Sequence, residues 1–120
     1  MISQNEKKIL LVGEHLDLSR KRMASLARTG AQVVISDPAE LQTHLGLEVF
    51  DLVVMCHIMR DEVRCSVTQH ARQRWPGVKI LQIFESTLDV VPTVCSADER
   101  VPDTPDELMK SAEGLLLRSA

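Results

Sequence analysis

The sequence predicts an α/β fold: a doubly wound, three-layer α/β/α sandwich around a central, parallel, five-stranded sheet. Two observations carry this. The run Leu52-Val53-Val54-Met55-Cys56 has five successive apolar side chains and no polar face, the pattern of a strand buried on both sides. Similar short runs alternate with stretches that carry helix starts and stops, the order expected of right-handed strand–helix–strand units. In open sheets of this kind, chemistry gathers outside the carboxyl ends of the strands. Cys56 and His57 stand at that end of the most apolar run.

Each element has its own signal. Ile9-Leu10-Leu11-Val12, ending at Gly13, reads as the first buried strand. A helix follows from about Leu18 and stops at Gly30, with Leu16, Met23, Leu26 and Ala27 expected on its inner face. Gln32-Val33-Val34-Ile35 reads as the second strand. Asp37-Pro38-Ala39-Glu40 then has the order of a helix start: a side-chain acceptor, a proline that loses nothing in the first turn, and an acid that can complete a capping box. Leu41 and Leu45 face inward there, and Gly46 ends the helix. Leu52–Cys56 is the third strand. A helix over 61–74 carries Val63, Val67, His70 and Ala71 on one stripe and ends at Pro76-Gly77. Lys79 to Phe84 is the fourth strand. Thr104-Pro105-Asp106-Glu107 opens a last helix that buries Leu108, Ala112, Leu115 and Leu116.

The stretch 85–103 is the weak part, with Pro92 and Pro102 and no helical stripe. Only Val90-Val91 and Thr93-Val94-Cys95 in it suggest strand. A fifth strand there leaves too little chain for a full crossover helix, so the fourth helix of the series is expected to be reduced or absent.

Composition excludes several functions. The 120 residues suit one domain over 1–120, and 44% hydrophobic with 26% charged residues is an ordinary globular balance. A net charge of −3 gives no electrostatic reason to bind nucleic acid or an acidic membrane. Phe50, Trp75 and Phe84 are the only aromatic residues, too few for a base-stacking platform. The polar start of the chain lacks a signal-peptide core, no apolar run reaches the length of a membrane span, and a cytoplasmic location is expected. Cys56, Cys65 and Cys95 suggest neither a disulfide framework nor a zinc knuckle. No Gly-rich phosphate loop follows any strand.

Two chemical readings of the strand ends compete with plain packing. Cys56 is a candidate redox-sensing thiol, which would need nearby positive charge and exposure; the ordinary reading is a small buried hydrophobe. Glu14, His15, Cys56 and His57 are a zinc-compatible set of residue types, yet their spacing matches no short ligand motif. His44 and the basic clusters Arg20-Lys21-Arg22 and Arg72-Gln73-Arg74 read as solvated helix faces.

The order and spacing of Ile9–Val12 with Gly13-Glu14, of Leu52–Cys56, of Lys79–Phe84, and of Val101-Pro102 before Pro105-Asp106-Glu107-Leu108 resemble a response-regulator receiver domain over about residues 7–118. The resemblance implies a flavodoxin-like (CheY-like) fold and a role in signal transduction. It also implies a degenerate phosphoacceptor pocket at Gly13, Glu14, Cys56, Phe84 and Val101. Receivers carry two metal-holding acids after the first strand, and only Glu14 remains. The acceptor aspartate falls on Cys56, the hydroxyl residue that closes strand four on Phe84, and the lysine before the proline of strand five on Val101.

Phosphoryl transfer to a side chain needs a carboxylate nucleophile, a metal and a nearby donor. Magnesium favours several oxygen ligands, more than Glu14 supplies. The expectation is therefore a pseudo-receiver: not an enzyme, without cofactor or metal, and acting through a protein partner or as a homodimer. Its interface is expected on the last helix or the first, because the family's usual face includes the fourth helix.

Overall fold

A computed structural model of the chain describes residues 7–13, 16–37, 49–56, 61–84 and 97–118, with the backbone alone for Leu16 and Asp61. Five strands form one parallel sheet: β1 (Lys8–Val12), β2 (Gln32–Ser36), β3 (Leu52–Met55), β4 (Lys79–Phe84) and β5 (Glu99–Pro102), in the spatial order β2-β1-β3-β4-β5. Three helices are described: α1 (Leu16–Ala27), α2 (Asp61–Arg74) and α3 (Pro105–Arg118). The expected doubly wound sandwich with a five-stranded parallel sheet is the observed architecture.

The strands alternate their side chains between two cores. Ile9, Leu11, Val33, Val54, Leu81, Ile83 and Val101 face α1 and α3, where Leu26, Leu108, Ala112, Leu115 and Leu116 cover them. Leu10, Val12, Val53, Met55 and Ile80 pack on the other face with Val67 and Ala71 of α2, beside Phe50 and Trp75. Central strands β1 and β3 are buried on both faces, which is why their sequence has no polar side.

The caps work as their residue types dictate. Gly30 ends the α1 turn at φ 90°, a left-handed conformation that a Cβ would strain. The Thr104 hydroxyl donates to the Glu107 carboxylate at 2.9 Å, and the amide of Leu108 donates to the Thr104 carbonyl at 2.9 Å, fixing the start of α3. At the amino edge, the Asp51 carboxylate accepts from the Lys8 amide at 2.9 Å, and the Asp98 carboxylate accepts from the Ile80 amide at 2.7 Å.

Four expectations need correction. The fifth strand is Glu99–Pro102, ending where the resemblance puts it and not at the apolar signal Thr93–Cys95, which lies outside the described residues. Its only deeply buried side chain is Val101, because β5 is an edge strand, and an edge strand needs no apolar run. The crossover to β5 spans residues 85–98, and the fourth helix expected to be reduced or absent falls there, largely outside the described residues.

The inner face of α1 is also rotated. Met23 and Ala27 are exposed, while Ser19, Arg22, Ser25 and Leu26 are buried. Among the cysteines, Cys56 is free but Cys65 is disulfide-bonded, against the expectation of no disulfide; Cys95, the third cysteine, lies outside the described residues. Finally, Cys56 follows β3 rather than belonging to it, although its amide still donates to the Val12 carbonyl at 3.1 Å. The helix expected after Asp37, with Leu41, His44, Leu45 and Gly46, lies outside the described residues.

Candidate functional site

The carboxyl edge of the sheet brings together two of the expected residues, Gly13 and Cys56, and a third, Arg22, from the basic cluster expected on a solvated helix face. Gly13 leaves β1 with its amide donating to the Ser36 carbonyl at 3.1 Å, and Cys56 leaves the neighbouring β3. A Cβ built on Gly13 would meet Ser19 Oγ at 3.0 Å, Cys56 Cβ at 3.3 Å and Cys56 Sγ at 3.9 Å. The space beside Gly13 is thus already filled by α1 and the end of β3. An acidic side chain begins with the same Cβ, so one placed here would have to displace Ser19 Oγ and crowd Cys56.

Gly13→Ala is expected to lower stability by about 1–2 kcal/mol, because Ser19 Oγ can turn away but Cys56 Cβ is fixed to its backbone. A urea midpoint shift at unchanged slope measures this, and adding Ser19→Ala should recover part of the loss.

Cys56 is 1% exposed, and its sulfur accepts a hydrogen bond from Arg22 Nη1 at 2.7 Å. The same guanidinium grips Asp103 with two further bonds, Nε to Oδ1 at 3.2 Å and Nη2 to Oδ2 at 2.9 Å. Arg22 belongs to the basic cluster Arg20-Lys21-Arg22, expected on a solvated helix face. It is 4% exposed, while Arg20 and Lys21 beside it are exposed. Burial by itself lowers its pKa, yet the Asp103 hydrogen bond, then the attraction and hydrogen bond of Cys56, outweigh this and hold it above the ordinary value. The guanidinium is therefore a fixed cation inside the edge of the sheet.

Phe84 and Val101 belong to β4 and β5, the two strands beyond β3 in the sheet. Phe84 is half-buried at the end of β4, opposite Pro102, with the Arg100 guanidinium carbon 5.2 Å from its ring centroid. Val101 is buried in the core beneath α1 and α3, opposite Ile83. Glu14, His15 and His57 lie outside the described residues, so the acid expected to survive is not placed. Among the described residues, no group of three or more His, Cys, Asp or Glu side chains is placed to hold a metal ion.

Gln82 is a further residue at this edge. It is buried on β4 opposite Met55; its Nε2 donates to the Ile83 carbonyl at 2.8 Å and the Cys56 carbonyl at 3.4 Å. Its Oε1 has no hydrogen-bond partner among the described residues. A glutamine inside the otherwise apolar stretch Ile80–Phe84 was the available sequence signal for it. Arg22 had a weaker signal, a lone cation in register with Ser19 and Ser25 on one helix face.

The edge can hold a thiol and a carboxylate on one buried cation. It does not offer the thiol to solvent, which a sensor cysteine requires. Among the described residues, no helix is long and apolar enough to cross a membrane.

No protein-family model matches the chain, and no curated protein matches it in sequence. Solved structures do match. The receiver domain of a Francisella response regulator has a TM-score of 0.72 at 14% identity, covering 96% of this chain and 100% of that one. A CheY-like receiver domain from Methanospirillum hungatei JF-1 has a TM-score of 0.72 at 19% identity, covering 94% and 95%. A chain of the complex between histidine kinase ThkA and response regulator TrrA has a TM-score of 0.71 at 22% identity, covering 92% and 98%. With sequence identity this low and coverage this complete, the likeness establishes architecture: the chain has the flavodoxin-like, CheY-like fold of response-regulator receiver domains.

Proposed function

We propose that the chain is a degenerate receiver, a protein-interaction module of signal transduction that carries out no phosphoryl transfer. The observation that carries this reading is the Cys56 thiol held by the buried Arg22 guanidinium, at the strand end where the resemblance puts a phosphoacceptor aspartate. A thiol hydrogen-bonded to arginine is not the carboxylate nucleophile that this chemistry uses. The fixed positive charge 2.7 Å from Cys56 also repels a divalent cation at the spot where one would have to bridge acceptor and phosphoryl oxygens. A second metal-binding acid at Gly13 would have to push aside Ser19 and Cys56, which a Cβ there would meet at 3.0 and 3.3 Å.

A protein partner is the natural counterpart of such a module. One of the similar folds was solved together with a histidine kinase, which supports docking of a protein onto this architecture. Nucleic acid is not favoured by a chain of net charge −3.

Incubation with radiolabelled acetyl phosphate and magnesium tests the reading. The expected result is no label in the wild-type chain, and none in Cys56→Asp, since one restored carboxylate does not rebuild the metal site. Beryllofluoride with magnesium should likewise leave the NMR signals of Gly13 and Cys56 unmoved. Stoichiometric label at a defined side chain would refute the proposal.

A further inference from the structure

Three pieces of the fold meet on one side chain. Arg22 comes from the middle of α1, Cys56 from the end of β3, and Asp103 from the turn between β5 and α3. These pieces are far apart in the chain and are joined at the carboxyl edge by three hydrogen bonds to one guanidinium. The turn itself is tied down by its backbone: the Asp103 amide donates to the Phe84 carbonyl at 3.1 Å, and the Thr104 amide donates to the Pro102 carbonyl at 2.8 Å.

We infer that Arg22 is a positioning residue that clamps the β5–α3 turn and the first turn of α3 to the end of β3, in one fixed arrangement. Two features of the chemistry make it a clamp rather than a surface ion pair. The fork of Nε and Nη2 on both Asp103 oxygens sets the angle of the carboxylate as well as its distance. The guanidinium is buried, so releasing Asp103 gives up two charge-assisted bonds in a poorly solvated place, and salt screens them little.

Here a residue of the chain itself supplies the link between strand end and turn permanently. The surface around the start of α3 is therefore set without a phosphoryl group. This consequence rests on the interaction-module reading above, whereas the clamp stands on the geometry alone.

Amide hydrogen exchange followed by NMR on the full chain tests the clamp, comparing wild type with Arg22→Met and Arg22→Lys. In Arg22→Met, the amides of Asp103 and Leu108 are expected to exchange at least about tenfold faster. The amides of Gln32 and Asp51, bonded to the Lys7 and Lys8 carbonyls at the opposite edge, should change by less than about threefold. Arg22→Lys keeps the charge but loses the fork, so it should fall between the two and supplies the same readout if Arg22→Met does not fold.

Equal acceleration at both edges would overturn the clamp, since that is what a general loss of stability produces; so would unchanged exchange at Asp103 and Leu108. Labelling by acetyl phosphate would instead refute the module reading while leaving the exchange pattern intact, so the two failures are separable.

Discussion

Phe50→Ala is expected to cost about 3–5 kcal/mol, a large share of the roughly 5–15 kcal/mol that stabilises a domain of this kind. Phe50 is 1% exposed in the core between the sheet and α2. Its ring meets that of Trp75 edge-to-face, with centroids 5.1 Å apart and planes at 73°. The substitution removes the ring's burial, the aromatic pair and the packing of its neighbours, and the backbone at Asp51 is held too firmly to close the gap. The Asp51 amide donates to the Lys8 carbonyl at 2.9 Å, and its carbonyl accepts from the Lys79 amide at 3.1 Å. Urea unfolding followed by Trp75 fluorescence measures the loss, and Trp75, the chain's single tryptophan, reports its own altered surroundings. Leu117→Ala is the matched control. Leu117 is 71% exposed, and its truncation should change stability by less than about 0.5 kcal/mol.

Removing the two partners of the Arg22–Asp103 pair should give unequal losses. The side chain of Arg22 is 4% exposed and that of Asp103 is 35% exposed. Asp103→Ala strips two charge-assisted bonds from a guanidinium that cannot return to water without opening the edge of the sheet, and should cost about 2–4 kcal/mol. Arg22→Met leaves a carboxylate that can be hydrated where it stands and removes the buried charge; its expected cost is smaller, about 1–2 kcal/mol. Chemical denaturation of the two variants and of the double substitution gives the order and the coupling between them. The opposite order would mean that the guanidinium is solvated in solution.

The architecture was legible because its signals are local. Leu52–Met55 and Ile9–Val12 have no polar face, and strands flanked on both sides by neighbours and covered on both faces need none. The last helix was legible down to its four buried residues, because Thr104, Pro105 and Glu107 mark its start and Leu108, Ala112, Leu115 and Leu116 repeat at helical spacing. Strand β5 was legible only through the resemblance, which put its end at Val101-Pro102, and not from its local pattern. At the edge of the sheet only Val101 is deeply buried, so Glu99-Arg100-Val101-Pro102 carries no apolar run, and the more apolar Thr93-Val94-Cys95 drew the assignment. Helix α1 was rotated because apolar residues were expected inside, whereas this helix turns Ser19, Arg22 and Ser25 inward.

At the site, residue identity gave the absences and the fold gave the contacts. The lack of an aspartate at the end of β3 and of a lysine before Pro102 could be read directly from Cys56 and Val101. That Gly13 is crowded by Ser19 and Cys56, and that the positive charge comes from α1, could not.

The sequence by itself determined the order of strands and helices, because burial on two faces and helix capping are written in neighbouring residues. Only the tertiary structure decided which cation reaches Cys56. Arg20, Lys21 and Arg22 are chemically alike as a string, and a single turn of α1 selects the one that points at Asp103 and loses its water. A contact between residues 22, 56 and 103 is a property of three elements brought together, and no local pattern records it.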